Sequence, residues 1–246
     1  MHDPGNQKPT YFYSASAMAL GGRITRPFDA NIDTQASSVL PIVGGMGTAR
    51  VQDFRFREIV SFQNAYSVVT GSQSKDDGSF ATLAMVTIED LNILHMLTAK
   101  KIVSRLAANA PSDPKQQATI IPVGSQLTGL NVAGCDLAVE FDVEPFCSPD
   151  MNKAKAYEAA RKRPGARVSN GTVVTSLVSK ITATGSCSGV RIAGNQIDVP
   201  HFGRIYVGQF LLTPYSWRLV MLRVELGCSA EGVIASGCTQ GNGTTG

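Results

Sequence analysis

Gly185-Ser-Cys-Ser-Gly189 has the outline of a hydrolase elbow with a thiol at its centre. An elbow works when a strand precedes the nucleophile and a helix follows it, because that turn exposes the side chain over backbone N–H groups. Here the exit, Val190-Arg-Ile192, reads as a further strand, so a hairpin loop is expected. Glu140, Asp142 and Glu144 alternate along one strand reading, about 7 Å apart successively by strand rise. Paired carboxylates can serve as acid and base on a glycoside or hold a hard cation. Glycosidase carboxylates normally come from different strands, however, and a calcium loop wants its ligands at turn spacing, so a solvated strand face is expected. His95 and His201 are candidate bases, and neither has a readable Ser or Cys partner. Gly44-Gly-Met-Gly47 lacks the lysine and following helix of a phosphate loop. The reading therefore assigns no catalytic residue, no metal ligand and no cofactor.

The five cysteines, Cys135, Cys147, Cys187, Cys228 and Cys238, avoid CxxC spacing, and with only 3 His in the chain a structural zinc site is not expected. Cys135 with Cys147, and Cys228 with Cys238, each flank a local segment, which in an oxidising compartment gives two local disulfides and leaves Cys187 over. Five reduced thiols packed as small residues are the alternative.

Positive charge is concentrated in one place. Residues 151–168 hold six basic residues and one acid, so the rest of a chain with net charge +3 is slightly negative. The same stretch reads as a short helix, about 150–163, capped by Asp150 and stopped by Pro164. Tyr157 is its lone aromatic, so the stacking platform of a single-strand binder is lacking and nucleic acid is not expected. Lys153, Lys155, Arg161, Lys162 and Arg163 are instead expected at an interface, with the acids at 140, 142 and 144 as the matching face of a neighbouring subunit.

The elements that position these groups read as strands. In Val51–Glu58, Phe54 and Phe56 alternate with Arg55 and Arg57, and the same period of two recurs in 139–144 and 222–226. Residues 85–108 carry apolar residues at both spacings (Ile88, Leu91, Leu94 and Leu97 for a helix; Ile93, His95 and Leu97 for a strand) and stay open between the two. Residues 129–139 and 189–199 share the pattern G-[LV]-x-[VI]-A-G-x-x-[LI]-x-V, each a hairpin with Ala-Gly opening its turn, which suggests two related sheets or stacked layers. With 43% hydrophobic and 17% charged residues in 246, a disordered chain and a membrane bundle are excluded, and no apolar run approaches the ~18 residues of a spanning helix. The fold class expected is all-β: an antiparallel β-sandwich or β-roll with one short inserted helix. Its domain plan is a flexible leader (1–10), a single β-rich domain (11–236) and a flexible tail (237–246).

Gly124-Ser125 ahead of the first hairpin, the stretches Gly194–Gly208 and Arg218–Gly227, and the Ala/Ser-rich Ser14–Leu20 together resemble secreted bacterial β proteins of the choice-of-anchor type over roughly 14–28 and 120–230. The resemblance rests on fold-forming residues. It implies an extracellular or surface protein without an established catalytic role, although Met1–Thr10 as written carries no export signal. The expected function is thus a non-enzymatic structural or adhesion protein that self-assembles into a homo-oligomer or polymer by strand exchange. Tyr11, Tyr13, Ala15, Ala17 and Ala19 lie in the strand expected to add to a neighbour's sheet. Membrane insertion is not expected, and no small-molecule ligand is legible. The alternative is a secreted hydrolase of polysaccharide or ester using Glu140, Asp142, His201 or Cys187.

Overall fold

The computed structural model describes residues 11–24, 29–113, 116, 118–122, 124–148, 151–185, 187–213, 216–227 and 230–239, with Lys153 and 230–239 as backbone. In chain order the strands are β1 (Ala15–Ile24), β2 (Ala30–Gln35), β3 (Ser38–Val39), β4 (Gly45–Phe56), β5 (Val60–Gln73), β6 (Phe80–Ile93), β7 (Leu97–Ala110), β8 (Thr119–Ile121), β9 (Gln126–Thr128), β10 (Leu130–Val132) and β11 (Cys135–Phe141). A short 3-10 turn (Glu144–Phe146) and the helix α1 (Lys153–Lys162) follow. The chain then forms β12 (Arg167–Ser169), β13 (Thr172–Ser176), β14 (Val178–Thr184), β15 (Arg191–Ala193), β16 (Gln196–Val199), β17 (Gly203–Leu212), β18 (Trp217–Leu226) and β19 (Ala230–Thr239). The fold is all-β with one short inserted helix, as the alternation predicts.

Two antiparallel sheets form the body. A ten-stranded sheet runs β12-β13-β17-β18-β19-β1-β2, with β3 on β1 and the β15–β16 hairpin on β17. A nine-stranded sheet runs β14-β11-β10-β7-β6-β5-β4, with β8 and β9 on the edge of β7. Strands β1, β18 and β19 of the first sheet lie over β5, β6 and β7 of the second. The space between is filled by fully buried Val86, Ile88, Leu97, Ile102, Leu106, Leu219 and Leu222, and by Ala17, Ala19, Ala65 and Ala84, whose small side chains let the sheets approach.

Residues 85–108 resolve as the β6–β7 hairpin, and the cause of their double periodicity is visible. In β6 the core-facing residues are Thr82, Ala84, Val86 and Ile88, then Leu91 and Ile93; in β7 they are Leu97 and Ala99, then Ile102, Ser104 and Leu106. The same one-residue step occurs in β4 (Val51 to Phe54) and β5 (Phe62 to Ala65). At the step stand Asp53 (φ 50°), Asp90 (φ 55°) and Gly129 (φ 63°) on alternate strands, with Gln63 and Lys100 at the same level between them. Because neighbouring strands step together, pairing stays one to one on both sides, unlike a bulge, where two residues face one. The i,i+3 spacing of Ile88 and Leu91 is therefore a change of strand parity and not a helical stripe.

The repeated hairpins are present, one in each sheet. The first turns at Ala133 (φ 52°) and Gly134 (φ 80°), a primed turn that pairs Val132 with Cys135. In the second, Ala193 stays in the strand and pairs with Gln196, so the turn, opened by Gly194 (φ 61°), falls one residue later. Apolar pairing shifts accordingly, from Leu130 opposite Leu137 to Ile192 opposite Ile197.

The cysteine and terminal expectations need correction. Cys135 bonds to Cys187, 52 residues away, and not to Cys147, which is a free thiol. The bridge joins the start of β11, in one copy of the hairpin, to the approach to the other. Nearness in sequence did not select it because the 3-10 turn at 144–146 carries the chain away after β11 and before Cys147. The backbone of Cys238 falls within β19 at the level of Ser16 and Arg218, while Cys228 and the Cys238 side chain, and with them the Cys228–Cys238 pairing, lie outside the described residues. Strand β19 extends to Thr239, which makes 237–239 part of the sheet and not of a tail; the leader 1–10 and residues 240–246 lie outside the described residues.

Candidate functional site

Helix α1 begins at Asn152, whose side chain accepts a hydrogen bond from the Lys155 backbone N–H at 2.9 Å; Asp150, the expected cap, lies outside the described residues. Ala156 and Ala160 form its buried face, against β13 and the 144–146 turn. The next residue, Arg163, fixes the helix end. Its Nε donates to the Ser176 carbonyl at 2.6 Å and its guanidinium to Asp142 Oδ2 at 3.0 Å, while its plane lies 5.9 Å from the Phe146 ring centre. Only 10% of the Arg163 side chain is exposed. Phe146 in turn meets Phe210 edge-on at 5.2 Å, and Phe210 meets Trp217 at 5.7 Å, so the helix is tied into the aromatic core of the ten-stranded sheet.

This arrangement revises the acidic ladder. Strand β11 ends at Phe141, after a register shift between Glu140 and Phe141. Asp142 is therefore off the strand, paired with Arg163 of the same chain; Glu144 opens the 3-10 turn; Glu140 alone remains on the strand, exposed. The basic segment and the acidic segment meet within one subunit at this point, where an intersubunit contact was expected. Lys162 pairs with Glu158 at 3.3 Å on the exposed side of α1, and Lys155 and Arg161 are exposed. Lys153 is described only as backbone.

Beside α1 the structure forms a groove of about 1370 Å³. Its floor is the outer side of the ten-stranded sheet: Ser176 of β13, Tyr206 and Gln209 of β17, and Arg223 of β18. One wall carries Lys155, Lys162 and Arg167; the other is the β15–β16 turn with Asn195 and Gln196. Gly208 (φ 60°) shapes the floor. At this residue the free side of β17 passes from β16 to β13, and the backbone carbonyl of Gly208 accepts from Leu177 N–H at 2.9 Å. Asn195 Nδ2 donates to the Val207 carbonyl at 3.0 Å, fastening the hairpin wall to the floor. The Tyr206 ring lies 5.3 Å from the Arg223 guanidinium and 6.0 Å from that of Arg204. Sequence reading missed this floor; its signal was the outward Tyr206, Gln209 and Arg223 on strands whose other face is wholly apolar.

The remaining candidates are scattered. Cys187 is held in the disulfide and has no thiol to offer. His95 sits in the exposed β6–β7 turn (φ 55°), with Asn92 Oδ1 accepting its backbone N–H at 2.9 Å. His201 is an exposed turn residue (φ 62°) after Pro200. Of Glu140, Asp142, His201 and Cys187, only Asp142 lines the groove. Gly44 serves packing: a Cβ there would stand 2.9 Å from the Tyr13 ring. Among the described residues no cluster of three or more His, Cys, Asp or Glu is placed to hold a metal, and no helix is long and apolar enough to cross a membrane.

The expected exchange strand also takes a different place. β1 is an interior strand, paired with β19 on one side and with β2 and β3 on the other. Tyr13, Ala15, Ala17 and Ala19 are buried in the chain's own core, and Tyr11 stacks on Phe80 at 4.1 Å. The long open edge is elsewhere, on β4, which among the described residues pairs only with β5. Next to its start, Val39, Ile42, Val43 and Met46 are exposed, Val43 by 83%.

The molecule is thus an antiparallel β-sandwich with a helix-walled groove on one sheet and an open edge on the other. The chain belongs to the family described as Domain of unknown function (DUF8256), whose profile matches residues 11–169 and 153–213. No curated protein and no solved structure matches it.

Proposed function

We propose that this protein is a non-enzymatic structural or adhesion module of the cell exterior that self-associates through the open edge of β4. The observation carrying the proposal is the pairing of a twelve-residue edge strand with the apolar cluster Val39, Ile42, Val43 and Met46. Unpaired strand edges template further pairing, and proteins that stay monomeric protect them with charges, kinks or covering loops. From Arg50 onward β4 has such protection in Arg50, Asp53, Arg55 and the left-handed kink at Asp53. Its first five residues, Gly45 to Ala49, carry no charge and adjoin the apolar cluster. A second copy is the occupant that fits, since like edges pair antiparallel about a two-fold axis and bury both clusters together. The Cys135–Cys187 bridge supports placement in an oxidising compartment.

Light scattering coupled to size exclusion tests the reading. The intact protein is expected to elute as a dimer or larger species at micromolar concentration, and the double variant Val43→Lys, Met46→Lys as a monomer with an unchanged circular dichroism spectrum. A monomeric wild type at about 100 μM, an affinity weaker than about 5.5 kcal/mol of association, overturns it.

A further inference from the structure

We propose that the groove beside α1 binds an anionic polysaccharide, a chain of uronic-acid sugars. This goes beyond assembly at β4, which belongs to the other sheet, so either proposal stands or fails alone.

The groove, at about 1370 Å³, exceeds the roughly 300–1,000 Å³ of a small-molecule pocket and suits a segment of an extended chain. Among the described residues lining it five are cationic, Lys155, Lys162, Arg163, Arg167 and Arg223, against the acids Asp142 and Glu158, and Arg223 is ion-paired to Glu225 beside the groove. Both acids are engaged by cations of the groove itself, Asp142 by Arg163 and Glu158 by Lys162. The described lining therefore stays net positive even with Glu225 counted, and the low-dielectric walls of a concavity strengthen its pull on an anion.

Charge selects an anion, and the floor selects its kind. Gln209 offers an amide that donates and accepts, the pattern required by sugar hydroxyls, and Gln196 on the wall adds its amide oxygen. The Ser176 hydroxyl is taken up by Val207 and Val178, and the Gln196 nitrogen donates to Asp198. Tyr206 supplies an aromatic ring for the apolar side of a pyranose, with Arg223 beside it. The Arg223 guanidinium, with five N–H donors, pairs one nitrogen with Glu225 and would share its charge with a sugar carboxylate. A nucleic acid strand fits less well: single-strand binders present several stacking rings, and among the described residues lining the groove Tyr206 is the one aromatic. Because Arg163 is locked to Ser176 and Asp142 and Asn195 to Val207, both walls are held in place before any ligand arrives.

Calorimetric titration of the intact protein with oligogalacturonate of about ten sugars, with a neutral cello-oligosaccharide and with oligothymidylate of equal length decides the matter. Oligogalacturonate is expected to bind saturably and the other two at least tenfold more weakly. The double variant Lys155→Glu, Arg167→Glu, both surface positions, should lose at least tenfold in affinity, and Tyr206→Ala at least fivefold, with thermal melting checked for each. Absence of saturable binding by oligogalacturonate overturns the proposal. So does equal or tighter binding of oligothymidylate, or unchanged affinity in Tyr206→Ala.

Discussion

Asp77, in the β5–β6 turn, shows how single residues are tuned here. Oδ1 accepts from the Ser79 backbone N–H at 3.0 Å and from the Ser79 hydroxyl at 2.8 Å. Hydrogen bonds from the Ser79 backbone, and then from the Ser74 and Ser79 side chains, lower its pKa to about 2 from the usual 3.8. A carboxyl whose folded pKa lies below its unfolded value contributes stability that is complete above the unfolded value and disappears as pH falls through the folded one. Urea midpoints should therefore drop between pH 4 and pH 2 by less in Asp77→Asn than in wild type; equal drops would show that the turn does not hold the carboxylate. Cys147 lies at the other extreme. Burial, then the charges of Glu144 and Asp142, push its thiol pKa up, and the thiol donates to the Val143 carbonyl at 3.2 Å, so it is a packing residue and not a nucleophile.

Among the elements, the parity step decides which side chains of β4 to β7 face the core on either side of it. It demands left-handed backbone inside strands, which Gly adopts freely and Asp tolerates. Gly208 is constrained twice, by φ 60° and by Phe141 and Val178, which a Cβ would meet at 2.9 and 3.1 Å. Gly208→Ala should cost about 3 kcal/mol, the sum of left-handed strain and overpacking. At exposed Asp90 only the backbone matters, so Asp90→Gly should lie within about 0.5 kcal/mol of wild type and Asp90→Val should lose about 2 kcal/mol. Chemical denaturation of the three variants checks both statements. Equal losses at Asp90 for Gly and Val would mean that the step does not depend on the backbone conformation assigned to it.

For the molecule as a whole, the disulfide matters because of what it joins. Cys135 starts β11 in the nine-stranded sheet, and Cys187 leads into β15, which belongs to the ten-stranded sheet. A crosslink over 52 residues restricts the unfolded chain strongly, and its removal is expected to cost about 3–4 kcal/mol. Cys187→Ser and wild type under reductant should melt alike and well below the oxidised wild type; identical melting with and without reductant would refute the bridge. The hairpin copy carrying Asn195 and Gln196 is also a groove wall, so the bridge stabilises the same region that the inferred ligand would occupy.

Much of this architecture was readable from residues close in sequence. Alternation marked strands in 222–226, in 51–58 as far as Phe56 and in 139–144 as far as Phe141, the two Gly-bearing repeats marked hairpins, and the helix followed from its Ala- and Lys-rich run and Pro164, because each depends on contacts within about ten residues. Even the ambiguity of 85–108 was real information: Ile88 and Leu91 both face the core, on either side of a parity step that one strand cannot reveal without its neighbours. Tertiary structure alone decided that β1 is an interior strand, that β4 is an open edge, that Cys135 bonds to Cys187, and that Arg163 takes up Asp142 from the same chain. The reason is physical. Every strand carries the same backbone donors and acceptors, so local sequence establishes that a segment is a strand, while the partner it pairs with, and hence every edge, bridge and groove, is chosen by side chains brought together from distant parts of the chain.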